Sequence, residues 1–148
     1  MKRIRRILHA SDFSKASGRA FQTAMTMAKA NRARLTVVHV IVPFELVVPE
    51  QYVDSGTFDQ LAAQARQWGQ RQLAKLADRA KRTGARTTTL LREGDPAQQI
   101  VRAARSERAD LIVVGTHGRR GFSKLLLGSV AERVVGTAPC PVVTVRGK

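Results

Sequence analysis

Leu111-Ile112-Val113-Val114-Gly115-Thr116-His117-Gly118, followed after nine residues by Gly128-Ser129, carries most of the architectural information in this chain. Four consecutive apolar residues suit a central parallel strand covered on both faces. The segment behind them is spaced by glycines and ends where Ser129 can open a helix. Glycine lets backbone N–H groups approach an anion with no Cβ in the way, and a helix N-terminus adds free donors and the positive end of a dipole. A buried strand emptying into such a loop is how α/β proteins hold phosphates, which makes a nucleotide the leading ligand.

The flanking sequence supports the same architecture. Residues 4–10 read as a first strand, and Ser14 caps a helix whose apolar face is Ala20, Phe21, Ala24, Met25 and Ala28. A second strand spans 35–42, and residues 43–56, with Pro49 and Gly56, form a longer loop suited to cover the sheet. A long helix over 58–82 places Leu61, Ala65, Trp68, Leu73, Leu76 and Ala80 on one stripe, so Trp68 is read as core rather than as a stacking platform. Thr83-Gly84 stops that helix. Residues 87–91 give a third strand, and Asp95-Pro96 opens a helix to 106 with Ile100, Val101 and Ala104 inward. A last helix over 129–136 sets Val130, Arg133 and Val134 at helical spacing, before a final strand at 141–145. This alternation specifies an α/β fold: an open five-stranded parallel sheet, Rossmann-like, with helices on both faces and right-handed crossovers. At 148 residues and 16.2 kDa, one domain over residues 1–148 is expected, with no repeat or linker.

Composition narrows the partners. Against 11 acidic residues stand 26 Lys and Arg, a net charge of +15 that attracts polyanions at low salt, so weak electrostatic nucleic-acid binding is expected. The arginines are spread through the chain, no single stripe can be drawn, and the surface reads as solvated. No apolar run approaches the roughly 20 residues of a membrane span, so no membrane partner and a cytoplasmic location are expected. Cys140, the one cysteine, sits between Pro139 and Pro141 and reads as a small buried residue at a strand entrance. His9 and His39 read as sheet residues, and no Cys or His pair has metal-ligand spacing. No general base, nucleophile pair or carboxylate dyad emerges, so binding is favoured over turnover.

The loop has neither the Lys-Ser/Thr ending of a P-loop nor the dinucleotide spacing. Its pattern, Gly, two residues, Gly, nine residues, Gly-Ser, resembles that of the ATP-binding branch of the universal stress protein family. The other landmarks fall in the family's order: Ile7-Leu8-His9-Ala10 running into Ser11-Asp12-Phe13-Ser14, Leu35-Thr36-Val37-Val38-His39-Val40, the Gly94-Asp95-Pro96 turn, and Cys140-Pro141-Val142-Val143-Thr144-Val145. The resemblance covers essentially the whole chain. It implies an adenine nucleotide alpha hydrolase-like fold, ATP as ligand with at most slow hydrolysis, and a nucleotide-responsive stress or regulatory role. It also implies a homodimer built through the last strand, residues 141–145.

Ligands of open parallel sheets sit beyond the carboxyl ends of the strands, near the reversal of strand order. That location collects Ala10 to Asp12, Val40 to Val42, and Gly115 onward. By resemblance, Asp12 and the backbone at Val40 hold the adenine and ribose side, and Gly115, Gly118, Gly128, Ser129 and Val130 hold the ribose and phosphates. Two roles stand open for Asp12, a ligand contact or a partner for the helix that follows. His117 reads as a hydrogen-bonding spacer in the loop, and Arg119 and Arg120 bring charge there, whether onto a phosphate or into solvent. Ala131 offers no hydroxyl, so magnesium or manganese would ride on the nucleotide.

Overall fold

The computed structural model describes residues 2–44, 47–116 and 127–147. Strands β1 (Arg6–Ala10), β2 (Arg34–Ile41), β3 (Thr87–Glu93), β4 (Leu111–Gly115) and β5 (Val142–Val145) alternate with helices α1 (Lys15–Asn31), α2 (Ser55–Arg82), α3 (Pro96–Ser106) and α4 (Ser129–Thr137). The strands form one parallel sheet in the order β3-β2-β1-β4-β5. The α/β fold and the five-stranded sheet are therefore as the sequence predicts. Chain order reverses between β1 and β4, and the crevice for a ligand opens there.

Strand side chains alternate between faces, which sorts the apolar runs into two cores. Ile7, Leu35, Val37, Leu111 and Val113 meet Phe21 and Ala24 of α1 and Leu73 and Ala80 of α2 on one face. Leu8, Val38, Ile112 and Val114 meet Ile100 and Ala104 of α3 and Ala131 and Val134 of α4 on the other. Helices thus cover both faces. Among the described residues, no helix is long and apolar enough to cross a membrane.

Capping follows the sequence closely. The Ser14 hydroxyl accepts from Ser17 N–H at 3.2 Å, and the Asp95 carboxylate accepts from Gln98 N–H at 2.9 Å ahead of Pro96. Asp54 caps α2 in the same way through Thr57 N–H, so the helix starts at Ser55, three residues before Phe58. β3 runs to Glu93 rather than stopping at Leu91, because the ladder continues through Val40 with Arg92 and Ile41 with Glu93. Arg66 of α2 pairs with Glu93 there, so these two polar strand residues are edge positions. β1 begins at Arg6, two residues after Ile4, which still packs on the first core.

The stripe on α2 differs from the expected one. Phe58, Gly69, Leu73, Ala77 and Ala80 are its buried positions, whereas Trp68 is 37% exposed. Gly69 supplies the reason: a Cβ there would lie 3.0 Å from Leu91 and 3.3 Å from His39, so glycine sets the close approach of helix to sheet. That approach rotates the neighbouring Trp68 away from the core. Cys140 is half-buried against the second core, and the loss of water around it raises its thiol pKa.

Candidate functional site

A cavity of about 740 Å³ opens at the β1/β4 switch point. Its walls are the carboxyl ends of three strands: Ala10, Ser11 and Asp12 at the end of β1, Val38 to Val42 at the end of β2, and Val114, Gly115 and Thr116 at the end of β4. Gly128, Ser129, Val130 and Ala131 close it from the start of α4, and Trp68 and Ile100 from α2 and α3. The predicted site residues Ala10, Asp12, Val40, Gly115, Gly128, Ser129 and Val130 therefore share one cavity. His117, Gly118 and Arg119 lie outside the described residues.

The two ends of the glycine motif meet. Thr116 N–H donates to the Val145 carbonyl at 2.9 Å, and Gly128 N–H donates to the Thr116 carbonyl, so α4 starts directly over the end of β4. Gly128 occupies the N-cap with φ −59° and ψ 153° and makes no side-chain cap bond. The first-turn N–H groups of α4 are consequently available at the cavity wall, as an anion site needs. Gly115 acts differently from expectation. Its missing Cβ points toward α1, 3.5 Å from the Ala16 carbonyl oxygen and 3.6 Å from Ser17 Cα, so it lets helix and strand approach and lines the cavity with backbone.

The turn after β1 is held by its own polar groups. Asp12 Oδ1 accepts from Ser14 N–H at 2.9 Å, and Ser11 Oγ accepts from Phe13 N–H at 3.1 Å. Asp12 thus braces the entry to α1 as a partner for that helix, one of the two roles read for it, and also lines the cavity. The bracing forces Phe13 to φ 64°, a left-handed conformation uncommon outside glycine, and strain of this kind clusters at ligand sites.

That conformation brings Phe13 against two aromatic residues that line the cavity. The Phe13 ring lies 4.4 Å from the His39 ring and 5.3 Å, edge to face, from Trp68. His39 Nδ1 is 2.7 Å from the Ser11 carbonyl, which can only accept, so the ring nitrogen donates. The sequence reading placed His39 in the sheet and Trp68 in the core. His39 is a β2 residue as read, and Trp68 is not core; both line the cavity, where they supply flat surface for a planar ring. Helical or strand periodicity carries no signal for this wall, since its two members come from a strand end and a helix.

α4 is held in place by a second contact. The Arg133 guanidinium makes a two-pronged pair with the Asp95 carboxylate, at 2.8 and 2.9 Å, tying α4 to the cap of α3. Arg133 therefore points outward rather than into the core. Its hydrogen bonds, and the Gln98 N–H, hold the Asp95 carboxyl below the usual carboxylate range. No cluster of metal-ligating side chains occurs among the described residues.

The profile of the universal stress protein family matches residues 3–146. A universal stress protein of Methanocaldococcus jannaschii is 35% identical over 144 residues, 96% of this chain and 82% of the relative. The crystal structure of a universal stress protein family member from Burkholderia pseudomallei, 33% identical, superposes with a TM-score of 0.77 over 98% of both chains. A universal stress protein solved in complex with cAMP is 26% identical, with a TM-score of 0.70 over 99% of this chain and all of the other. Motif, cavity and these likenesses agree, and the chain belongs to the universal stress protein family.

Proposed function

We propose that this protein binds ATP in the β1/β4 cavity and uses nucleotide occupancy to bias a regulatory surface, with at most slow hydrolysis. The observation that carries this reading is the start of α4, uncapped and facing a cavity whose other wall is aromatic and apolar. The phosphates would take the N–H groups of Gly128, Ser129 and Val130 and the Ser129 hydroxyl. The base would lie against Val40, His39 and Trp68, and Asp12 would accept from the ribose. The loop residues Gly118, His117 and Arg119 complete the phosphate end, with magnesium or manganese carried on the nucleotide. The relative solved with cAMP supports an adenine nucleotide in this fold.

The cavity volume lies within the range typical of small-molecule sites, about 300 to 1,000 Å³. Association as a homodimer through β5 belongs to the same proposal. β5 is a four-residue edge strand, and an edge of this kind needs a partner or a cover.

Calorimetric titration with ATP and magnesium, on wild type and on Ser129→Glu, tests the reading. A carboxylate in the first turn favours the helix dipole, so the variant should fold while repelling the phosphates. Saturable binding by wild type and its loss in Ser129→Glu are expected. Equal binding by a folded Ser129→Glu protein would move the phosphates away from α4.

A further inference from the structure

Because every strand is parallel, the strand starts and the C-terminal ends of α1, α2 and α3 gather at the pole opposite the cavity. Three exposed arginines, Arg5, Arg34 and Arg86, stand at or just before the starts of β1, β2 and β3 at that pole. Arg34 N–H donates to the Arg5 carbonyl and Leu35 N–H to the Arg86 carbonyl, each at 2.8 Å. Register pairs Arg34 with Arg6 and Leu35 with Thr87, so Arg34 lies level with Arg86 while Arg5 is one residue offset, and with strands about 4.8 Å apart the three charges gather at the strand starts. None of the three is in an ion pair with a described carboxylate. Asp110 beside them already accepts from Arg5 and Arg6 N–H, at 2.9 and 3.0 Å, and faces Lys2.

A second observation comes from the helix ends. The three helices finish alike, with Ala33 N–H reaching the Ala28 carbonyl, Ala85 reaching Ala80, and Ala109 reaching Ala104. This ending demands a left-handed residue just before each alanine, a position that favours glycine. α2 has Gly84 there, at φ 87°, but α1 and α3 have Arg32 and Arg108, both at φ 52°. Helix dipoles do not require this. α2 places Arg79, Lys81 and Arg82 within its last turn and still ends on glycine. Two arginines thus hold disfavoured conformations, and both add charge to the same pole.

We infer that this pole binds the phosphate backbone of nucleic acid, without reading its sequence. Arginine forks match phosphate oxygens, and phosphate contacts position a protein on nucleic acid without selecting bases. Membrane insertion and protein docking would need exposed apolar anchors. None of the exposed large apolar side chains among the described residues lies at the strand starts or on the last turns of α1, α2 or α3.

The test is fluorescence anisotropy of the full chain with labelled DNA duplexes of unrelated sequence, over about 50 to 200 mM salt. The double variant Arg32→Gly/Arg108→Gly suits the backbone and should keep the fold, checked by its melting temperature. Losing two phosphate contacts should weaken binding about tenfold or more and flatten the slope of log affinity against log salt by about 1.8. Arg71→Ser/Lys75→Ser, which removes equal charge from the outer face of α2, should leave both nearly unchanged. Equal losses in the two variants would mean net charge alone, and an unaffected glycine variant would move the site. Either outcome overturns the inference, as would anionic vesicles displacing the duplex as well as unlabelled DNA at matched phosphate.

Discussion

Protonating His9 should cost this fold about 3 kcal/mol, and the cost should appear between pH 6.5 and about 4. His9 is fully buried at the centre of β1, with its ring 5.7 Å from the Phe21 ring. Nδ1 lies 3.0 Å from the Val113 carbonyl, an acceptor, so this nitrogen carries the hydrogen. Nε2 is then the bare nitrogen, and it is buried with no hydrogen-bond partner. A second proton would place an unpaired charged N–H in the core. Burial therefore drives the pKa from 6.5 to about 4, against smaller raising effects from Val113 and from the charge of Asp12.

The direction follows from which state binds the proton. Above pH 6.5 both states hold neutral histidine and stability is complete. Below it the unfolded chain protonates first, and stability falls by about 1.36 kcal/mol per pH unit until the folded form titrates near 4. For a chain of this size the whole effect lowers Tm by roughly 6 to 12 °C. Urea unfolding at steps from pH 7.5 to 4, on wild type and His9→Asn, isolates it. The Asn amide can keep the bond to Val113 but cannot titrate. Its stability at pH 7.5 drops through lost packing, yet its pH dependence over the window should be shallower by the stated amount. Parallel curves for the two proteins would refute the reasoning.

Two further outcomes are expected. Asp95→Ala should lose the cap of α3 and the pair to Arg133, destabilising by about 1 kcal/mol, mostly from the cap. Asp95→Asn, which can still cap, should lose much less in thermal unfolding at pH 7. In wild type the pairing contribution is complete above the unfolded carboxyl pKa and disappears as pH falls through the lower folded value, so acid should narrow the gap between wild type and Asp95→Asn. Thr144→Lys, at the exposed position of β5, should give a folded monomer by light scattering; a dimer would place the interface elsewhere. Thr144 is the better probe than Val143, whose side chain packs on the first core.

Sequence patterns exposed those features of the molecule that are local in the chain. Ser14 and Asp95 announce their caps, Thr83-Gly84 announces a stop, and the run from Leu111 to Val114 announces a central strand, because each depends on neighbours within a few residues. The glycine motif announced the cavity for the same reason. What escaped was set by contacts between distant segments. Trp68 faces the cavity because Gly69 lets α2 sit close to β2 and β3, and no periodicity within α2 contains that fact. Arg92 and Glu93 look like loop residues until Ile41 and Arg66 are beside them.

The charge distribution shows the same limit most clearly. Arg5, Arg32, Arg34, Arg86 and Arg108 are scattered along the chain, and no stripe joins them in one dimension. Parallel topology returns every strand start to one end of the sheet, and three of these arginines become neighbours through backbone hydrogen bonds. That same topology sends the strand ends, with Asp12, Val40 and Gly115, to the opposite pole. One fold rule therefore separates a cavity suited to a single small anion from a surface suited to a long one. The two poles carry anion-binding donors of different kinds, neutral backbone N–H groups at the start of α4 and charged guanidinium groups at the strand starts. Salt should thus distinguish them: screening weakens contacts in proportion to the number of phosphates engaged, so duplex binding should collapse over a range in which nucleotide binding changes little.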